Sequence, residues 1–198
     1  MGAASKSRDL HERQIKRSKD VNMIFKETEV RGAFVLELER VEDERGFFAR
    51  TWCQKEFQMH SLVSHLVQTS ISFSKKKGTL RGMHYQAPPY EEAKLVRCTR
   101  GAIFDVVIDL RPESPTLNQW IGIELTPDNY KMLYAPENCA HGYVTLEDST
   151  EVTYLISQFY RRDAEQGVRY DDPAFGVRWP IEVQIISRKD RSWPYVSI

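Results

Sequence analysis

Several things are scarce in this chain of 198 residues, and each scarcity removes a class of protein. There are only three cysteines, Cys53, Cys98 and Cys139, far apart, odd in number and without a CxxC pair. A disulfide framework or a structural zinc site is therefore not expected, and a reducing, cytoplasmic setting fits. No apolar run approaches the roughly 18 residues a membrane-spanning helix needs, so no membrane partner is expected. There is no surplus of either charge: 28 basic residues face 28 acidic ones. A dedicated nucleic-acid binder usually carries a basic excess, so nucleic acid is not an expected partner. There is no internal repeat and no low-complexity linker, and the length suits one domain plus a tail.

What is there begins with a polar leader. Residues 1–22 carry six basic and three acidic side chains and no apolar core region, so a secretory signal does not fit. They read as a flexible or weakly helical segment. From Met23 to the end, 23–198, the pattern is that of a single β domain. Short apolar runs recur at Ala33–Leu38, Lys94–Arg100, Ala102–Leu110, Ile121–Leu125, Met132–Tyr134, Tyr143–Leu146 and Val152–Ile156. Turn signals separate several of them, such as Arg111-Pro112-Glu113-Ser114-Pro115 and Thr126-Pro127-Asp128-Asn129. Arg100-Gly101 reads as a tight turn joining two of these strands. Helix candidates are few and short, such as Gln54–His60. Strands recurring every 8 to 12 residues suggest a sandwich or barrel, and an all-β, double-sheet jelly roll is the expected fold.

Fold alone does not give an activity, so polar clusters have to. Three stand out: Leu80 to Gln86 with Lys94 ten residues after His84, Pro136 to Tyr143 around His141, and Ser187 to Arg191. Strict alternation would send Arg81 and His84 to opposite faces of a strand, and Gly82 offers a kink that could reunite them. Histidine, lysine, arginine and tyrosine side chains inside a barrel are costly to bury without a ligand or mutual pairing. Jelly-roll cupins that bind metal often use a His-x-His pair, but His84 is followed by Tyr85 and Gln86, so no metal is expected. Acid–base chemistry fits better. Imidazole can take a proton, a carboxylate can orient it, lysine can stabilise an oxyanion, and a phenol can return a proton. His84, Asp190, Lys94 and Tyr154 supply one of each.

The segments Asp43 to Phe48, Leu80 to Gln86, Lys94 to Arg97, Phe104 to Arg111, Ala140 to Tyr143, Val152 to Tyr154, Tyr170 to Pro173, Trp179-Pro180 and Ser187 to Asp190 follow one another in a specific order. In this succession the chain resembles the dTDP-4-dehydrorhamnose 3,5-epimerases, from about Phe25 to Pro194. The resemblance implies a cupin-type double-stranded β-helix jelly roll, a homodimer, and no cofactor or metal. It implies a nucleotide-linked 4-keto-6-deoxyhexose as substrate, inverted at carbons 3 and 5. It further implies His84 as the base, Asp190 as its partner, Lys94 at the enolate oxygen and Tyr154 as the acid on the opposite face. Arg81, His141, Gln68, Tyr160 and Lys189 would contact the substrate. Arg45 and Phe48 would reach the nucleotide of the neighbouring subunit.

Two places depart from the family pattern. Arg50 stands where a glutamate is common, and Val67-Gln68-Thr69-Ser70-Ile71-Ser72 replaces Val-Gln-Asp-Asn-His-Ser. Both leave the nucleobase and exact sugar open. The alternatives are an epimerase of one carbon on a related sugar nucleotide, a non-catalytic sugar-nucleotide binder, and a metal-binding cupin.

Overall fold

The computed structural model describes residues 21–196, so nearly all of the leader, residues 1–20, lies outside the described residues. In chain order the strands are β1 (Met23–Glu27), β2 (Phe34–Leu38), β3 (Val41–Asp43), β4 (Gly46–Phe48), β5 (Gln68–Ser74), β6 (Thr79–Gln86) and β7 (Lys94–Arg100). They continue with β8 (Ile103–Asp109), β9 (Trp120–Leu125), β10 (Met132–Ala135), β11 (Cys139–Thr145), β12 (Thr150–Ile156), β13 (Glu165–Gly167) and β14 (Ile185–Ile186). A short helix, Gln54–Met59, and another, Arg188–Arg191, complete the elements. One sheet runs β1-β2-β10-β7-β12-β5 and the other β13-β6-β11-β8-β9, with β14 beside β6 and β3-β4 as a separate ribbon. Apart from β1-β2, β8-β9 and β3-β4, neighbours in space are distant in sequence, as a jelly roll requires.

Three apolar layers follow from this winding. The interior layer between the sheets includes Val96, Cys98, Ile103, Val107, Leu125 and Tyr143. Outside the first sheet, Phe34, Leu36, Leu95 and Tyr134 pack with Phe57 of the first helix. Outside the second, Val106, Ile108 and Ala140 pack with Val168 and Phe175. β8 is therefore covered on both faces, which is why its sequence is nearly continuous apolar residues rather than alternating ones. Each fully buried aliphatic side chain of these layers is stabilising by roughly 1.5–3 kcal/mol relative to exposure.

The turn at Arg100-Gly101 is real, but β7 and β8 do not pair. They belong to different sheets, so the turn is a corner of the sandwich rather than a hairpin. Gly101 has φ +73° there, and a Cβ would meet Thr150 Oγ1 at 2.4 Å. The strict-alternation puzzle is also resolved. Arg81 opposes Tyr143 and His84 opposes His141, so three steps on β6 match two on β11. The extra residue is a β-bulge, and it turns Arg81 and His84 to the same face. Glycine is required on both sides of it: a Cβ on Gly82 would lie 2.5 Å from Gly142 Cα, and one on Gly142 would lie 2.6 Å from Met83 Sδ.

The end of β8 is held by a buried carboxylate. Asp109 accepts hydrogen bonds from the Arg111 guanidinium and backbone, Ser114 Oγ and Thr116 Oγ1. Burial works against its charge, but these donors outweigh burial and hold its carboxyl well below the usual range. Arg111 also reaches the carbonyl of Arg31, tying this loop to the β1–β2 connection. Asp109→Asn should lower stability at pH 7 by about 3 kcal/mol in urea denaturation, because it leaves Arg111 without its charge partner. A depressed carboxylate stabilises above its unfolded pKa of about 3.9 and loses that contribution as pH falls. The gap between variant and parent should therefore shrink on acidification below about pH 4.

Candidate active site

Alternation on three neighbouring strands builds one wall of a cavity. On β12, Val152, Tyr154 and Ile156 share a face, opposed by Ser72, Ser70 and Gln68 on β5. On the other side, Val152, Tyr154 and Ile156 oppose Cys98, Val96 and Lys94 of β7. The facing wall is the second sheet, where the bulge presents His84 beside His141. Between the walls lies a cavity of about 290 Å³ whose lining includes Gln68, Ser70, His84, Glu92, Lys94 and Tyr160. That is the lower end of the range for small-molecule sites.

His84 Nε2 lies 2.7 Å from Asp190 Oδ1. Asp190 is buried on the helix Arg188–Arg191, where its backbone N–H donates to the capping Ser187 Oγ at 2.9 Å. Burial alone would raise the Asp190 pKa, but His84, Ser187 and the Gly82 N–H outweigh it and hold the carboxyl below its ordinary value. A charged acceptor is thereby kept behind the imidazole. Lys94 Nζ is 2.8 Å from Glu92 Oε1 and donates to the His84 carbonyl oxygen at 3.4 Å. The ammonium is thus fixed in the cavity wall, with its side chain 12% exposed.

Deeper in the barrel, His141 Nε2 lies 2.7 Å from Asp105 Oδ1, with both side chains buried. Burial raises the Asp105 carboxyl, against the pull of His141 and Lys94. Asp105 Oδ2 has no hydrogen-bond partner among the described residues. The ring of Tyr154 meets that of His141 edge-on at 6.1 Å. Burial drives the Tyr154 phenol well above its usual value, and Tyr143 and Asp105 add to this while Arg81 opposes it. A phenol so placed keeps its proton at neutral pH.

The predicted residues do not all converge. His84, Lys94, Gln68 and Tyr160 line the cavity, with Asp190 behind His84. Tyr154 and His141 lie beside that lining rather than in it. Arg81 sits at the rim between β6 and β5, donating to Ser74 Oγ and the Phe73 carbonyl. Lys189 pairs with Glu165, which also accepts from Tyr160 Oη at 2.7 Å. Arg45 and Phe48 are apart from this cavity, on the β3–β4 ribbon, lining a depression of their own. Arg45 is engaged by Asp43, and Phe48 is 67% exposed.

Sequence reasoning passed over Glu92, Glu165 and Asp105. Asp105 carried a readable signal, a carboxylate in the middle of a strand whose other residues, Asp109 at its end apart, are apolar. Glu92 and Glu165 carried none, since each stands in a polar stretch that reads as loop. Among the described residues no group of three or more His, Cys, Asp or Glu side chains could hold a metal ion. No helix among them is long and apolar enough to cross a membrane.

A family model described as dTDP-4-dehydrorhamnose 3,5-epimerase matches residues 27–197. The chain is 40% identical over 172 residues to the dTDP-4-dehydrorhamnose 3,5-epimerase of Methanothermobacter thermautotrophicus, covering 85% of this chain and 92% of that one. The crystal structure of the Bacillus anthracis enzyme of that name, with TDP and PPi bound, superposes with a TM-score of 0.83 at 38% identity, covering 88% of this chain and all of the other. A dTDP-6-deoxy-D-glucose-3,5-epimerase from Legionella pneumophila, in complex with dTDP-4-keto-L-rhamnose, gives a TM-score of 0.81 at 32% identity, covering 88% and 93%.

Proposed function

Because the chain belongs to the dTDP-4-dehydrorhamnose 3,5-epimerase family, an isomerase family of the cupin jelly-roll fold, we propose a division of labour among its own residues. His84 removes the proton next to the ketone, first at one carbon and then at the other. Asp190 holds the imidazole in place and stabilises the imidazolium it becomes. Lys94 meets the enolate oxygen. Tyr154 delivers a proton to the opposite face of the ring.

The observation that carries this reading is the His84–Asp190 pair at 2.7 Å with the Lys94 ammonium in the same cavity and Tyr154 on the facing sheet. The chemistry needs all four. A proton next to a ketone is weaker than imidazolium by roughly a dozen pKa units, about 16 kcal/mol at 1.36 kcal/mol per unit. Histidine alone cannot bridge that gap. A fixed ammonium at the oxygen where charge develops, in a site closed to water, supplies the largest correction. Inversion also needs donor and acceptor on opposite faces, and two facing sheets offer that.

The nucleotide moiety is taken to be dTDP, as in the ligands of the related structures. Arg81, His141, Gln68, Tyr160 and Lys189 contact the sugar and phosphates. Arg45 and Phe48 serve a second copy of the chain, which makes the working unit a homodimer. Their position on an exposed ribbon outside their own cavity supports this. The reaction as proposed uses protein groups alone, and the enzyme works in the cytoplasm as one domain of residues 23–198 preceded by a polar leader.

The experiment is turnover of dTDP-4-keto-6-deoxyglucose in deuterium oxide, followed by proton NMR. Carbons 3 and 5 should both take up deuterium, and the product should be the doubly inverted sugar. Tyr154→Phe should still exchange, since its base is intact, but lose net inversion by about 10²-fold or more. Tyr154→Phe that inverts at the parent rate would show that the acid is another group.

A further inference from the structure

Residues 157–164 lie outside any strand or helix, run from the end of β12 to the start of β13, and carry Tyr160 into the lining of the cavity. We propose that Gln86 is a positioning residue for the reaction, whose side-chain amide holds this segment so that Tyr160 stands where the sugar nucleotide meets it. The inference rests on the reading of Tyr160 as a substrate contact.

Gln86 ends β6, two residues beyond His84, and both side chains belong to the cavity wall. Gln86 is 1% exposed. An amide buried that deeply is costly unless its hydrogen bonds are made, and here the backbone of two loops makes them. Gln86 Nε2 donates to the carbonyl of Tyr90 at 3.0 Å and to that of Phe159 at 3.3 Å, while Oε1 accepts from the Arg161 N–H at 2.6 Å. Both donors of the amide are spent on the protein, which leaves none for a substrate oxygen. Gln86 therefore acts through what it holds. Phe159 and Arg161 flank Tyr160, whose own N–H donates to Gln68 Oε1 at 2.7 Å. Three consecutive residues are thus fixed by two glutamines, one from each sheet. Tyr160 is 56% exposed and its hydroxyl donates to Glu165 Oε2, so burial does little to fix its ring.

The ends of the segment have fastenings of their own. The Ala87 N–H donates to the Ala164 carbonyl at 2.9 Å, and the Ser157 N–H donates to the Ala93 carbonyl at 3.1 Å. Without the Gln86 amide the ends stay stitched, and the middle, with Tyr160, comes loose. His84, Asp190 and Lys94 are held by bonds that do not involve Gln86. The loss should therefore fall on binding and spare the chemical step.

The test is steady-state turnover of dTDP-4-keto-6-deoxyglucose by the parent, Gln86→Met, Tyr160→Ala and the double variant. Gln86→Met should raise KM at least about tenfold while kcat stays within about threefold, the mark of lost binding rather than lost chemistry. In the Tyr160→Ala background the same substitution should raise KM by less than about twofold, because its effect passes through Tyr160. Should Gln86→Met not fold, Gln86→Glu decides by the same criteria, since it keeps the shape and the acceptor for Arg161 but loses both donors. A parent-like KM overturns the proposal, as does a loss confined to kcat. An equal rise in KM with and without Tyr160 also overturns it, because a general loosening of the fold would give that result. If Tyr160→Ala itself keeps the parent KM, the reading of Tyr160 has failed and this inference with it. If Tyr160→Ala raises KM and the Gln86 variants do not, only the role of Gln86 has failed.

Discussion

His84→Ala is expected to abolish deuterium uptake at both carbon 3 and carbon 5 and to lower kcat by about 10³- to 10⁴-fold. Both exchanges should vanish together because a single imidazole faces the cavity with a carboxylate behind it. Binding of dTDP, read by calorimetry, should change little, since the phosphate contacts are assigned to other side chains. Asp190→Asn should keep the shape of the pair but remove the charge that stabilises imidazolium, and so should reproduce part of the loss. Near-normal exchange in His84→Ala would mean that a different group is the base.

The second large effect is expected at Lys94. Lys94→Met should lower kcat by about 10²- to 10³-fold while KM moves far less, because the ammonium matters most when charge has developed on the ketone oxygen. The substitution has a side effect that the structure makes explicit. Glu92, 10% exposed, loses the cation 2.8 Å away and is left as an unpaired carboxylate in the cavity wall. Lys94→Met should therefore also lower thermal stability, and Glu92→Gln added to it should restore stability without restoring turnover. Recovery of activity in the double variant would show that Lys94 serves only to neutralise Glu92.

Much of the scaffold was readable one strand at a time. β2, β9 and β12 show apolar alternation, and each lies close to where the pattern predicts it. β5 was not readable, because its inward residues are Gln68, Ser70 and Ser72 and its outward Ile71 and Phe73 are exposed. A strand that turns hydroxyls inward to face a ligand reverses the usual code. The tight turn at Gly101 was legible, but a local turn signal does not record which sheet the chain enters next, so the corner was not. The site divides in the same way. His84, Lys94 and Asp190 were legible through their motifs, whereas Glu92, Glu165 and the Gln86–Arg161 contact depend on long-range proximity that no spacing encodes.

The extra residue in β6 has a consequence for how such a chain can change over time. It puts the two halves of one strand out of phase, so the guanidinium half and the imidazole half are oriented independently of each other. A lineage that lost that residue would gain a tidier ladder and a sound sandwich, with the imidazole facing the outer layer. If His84 is the base, that irregularity is what aims it at the cavity.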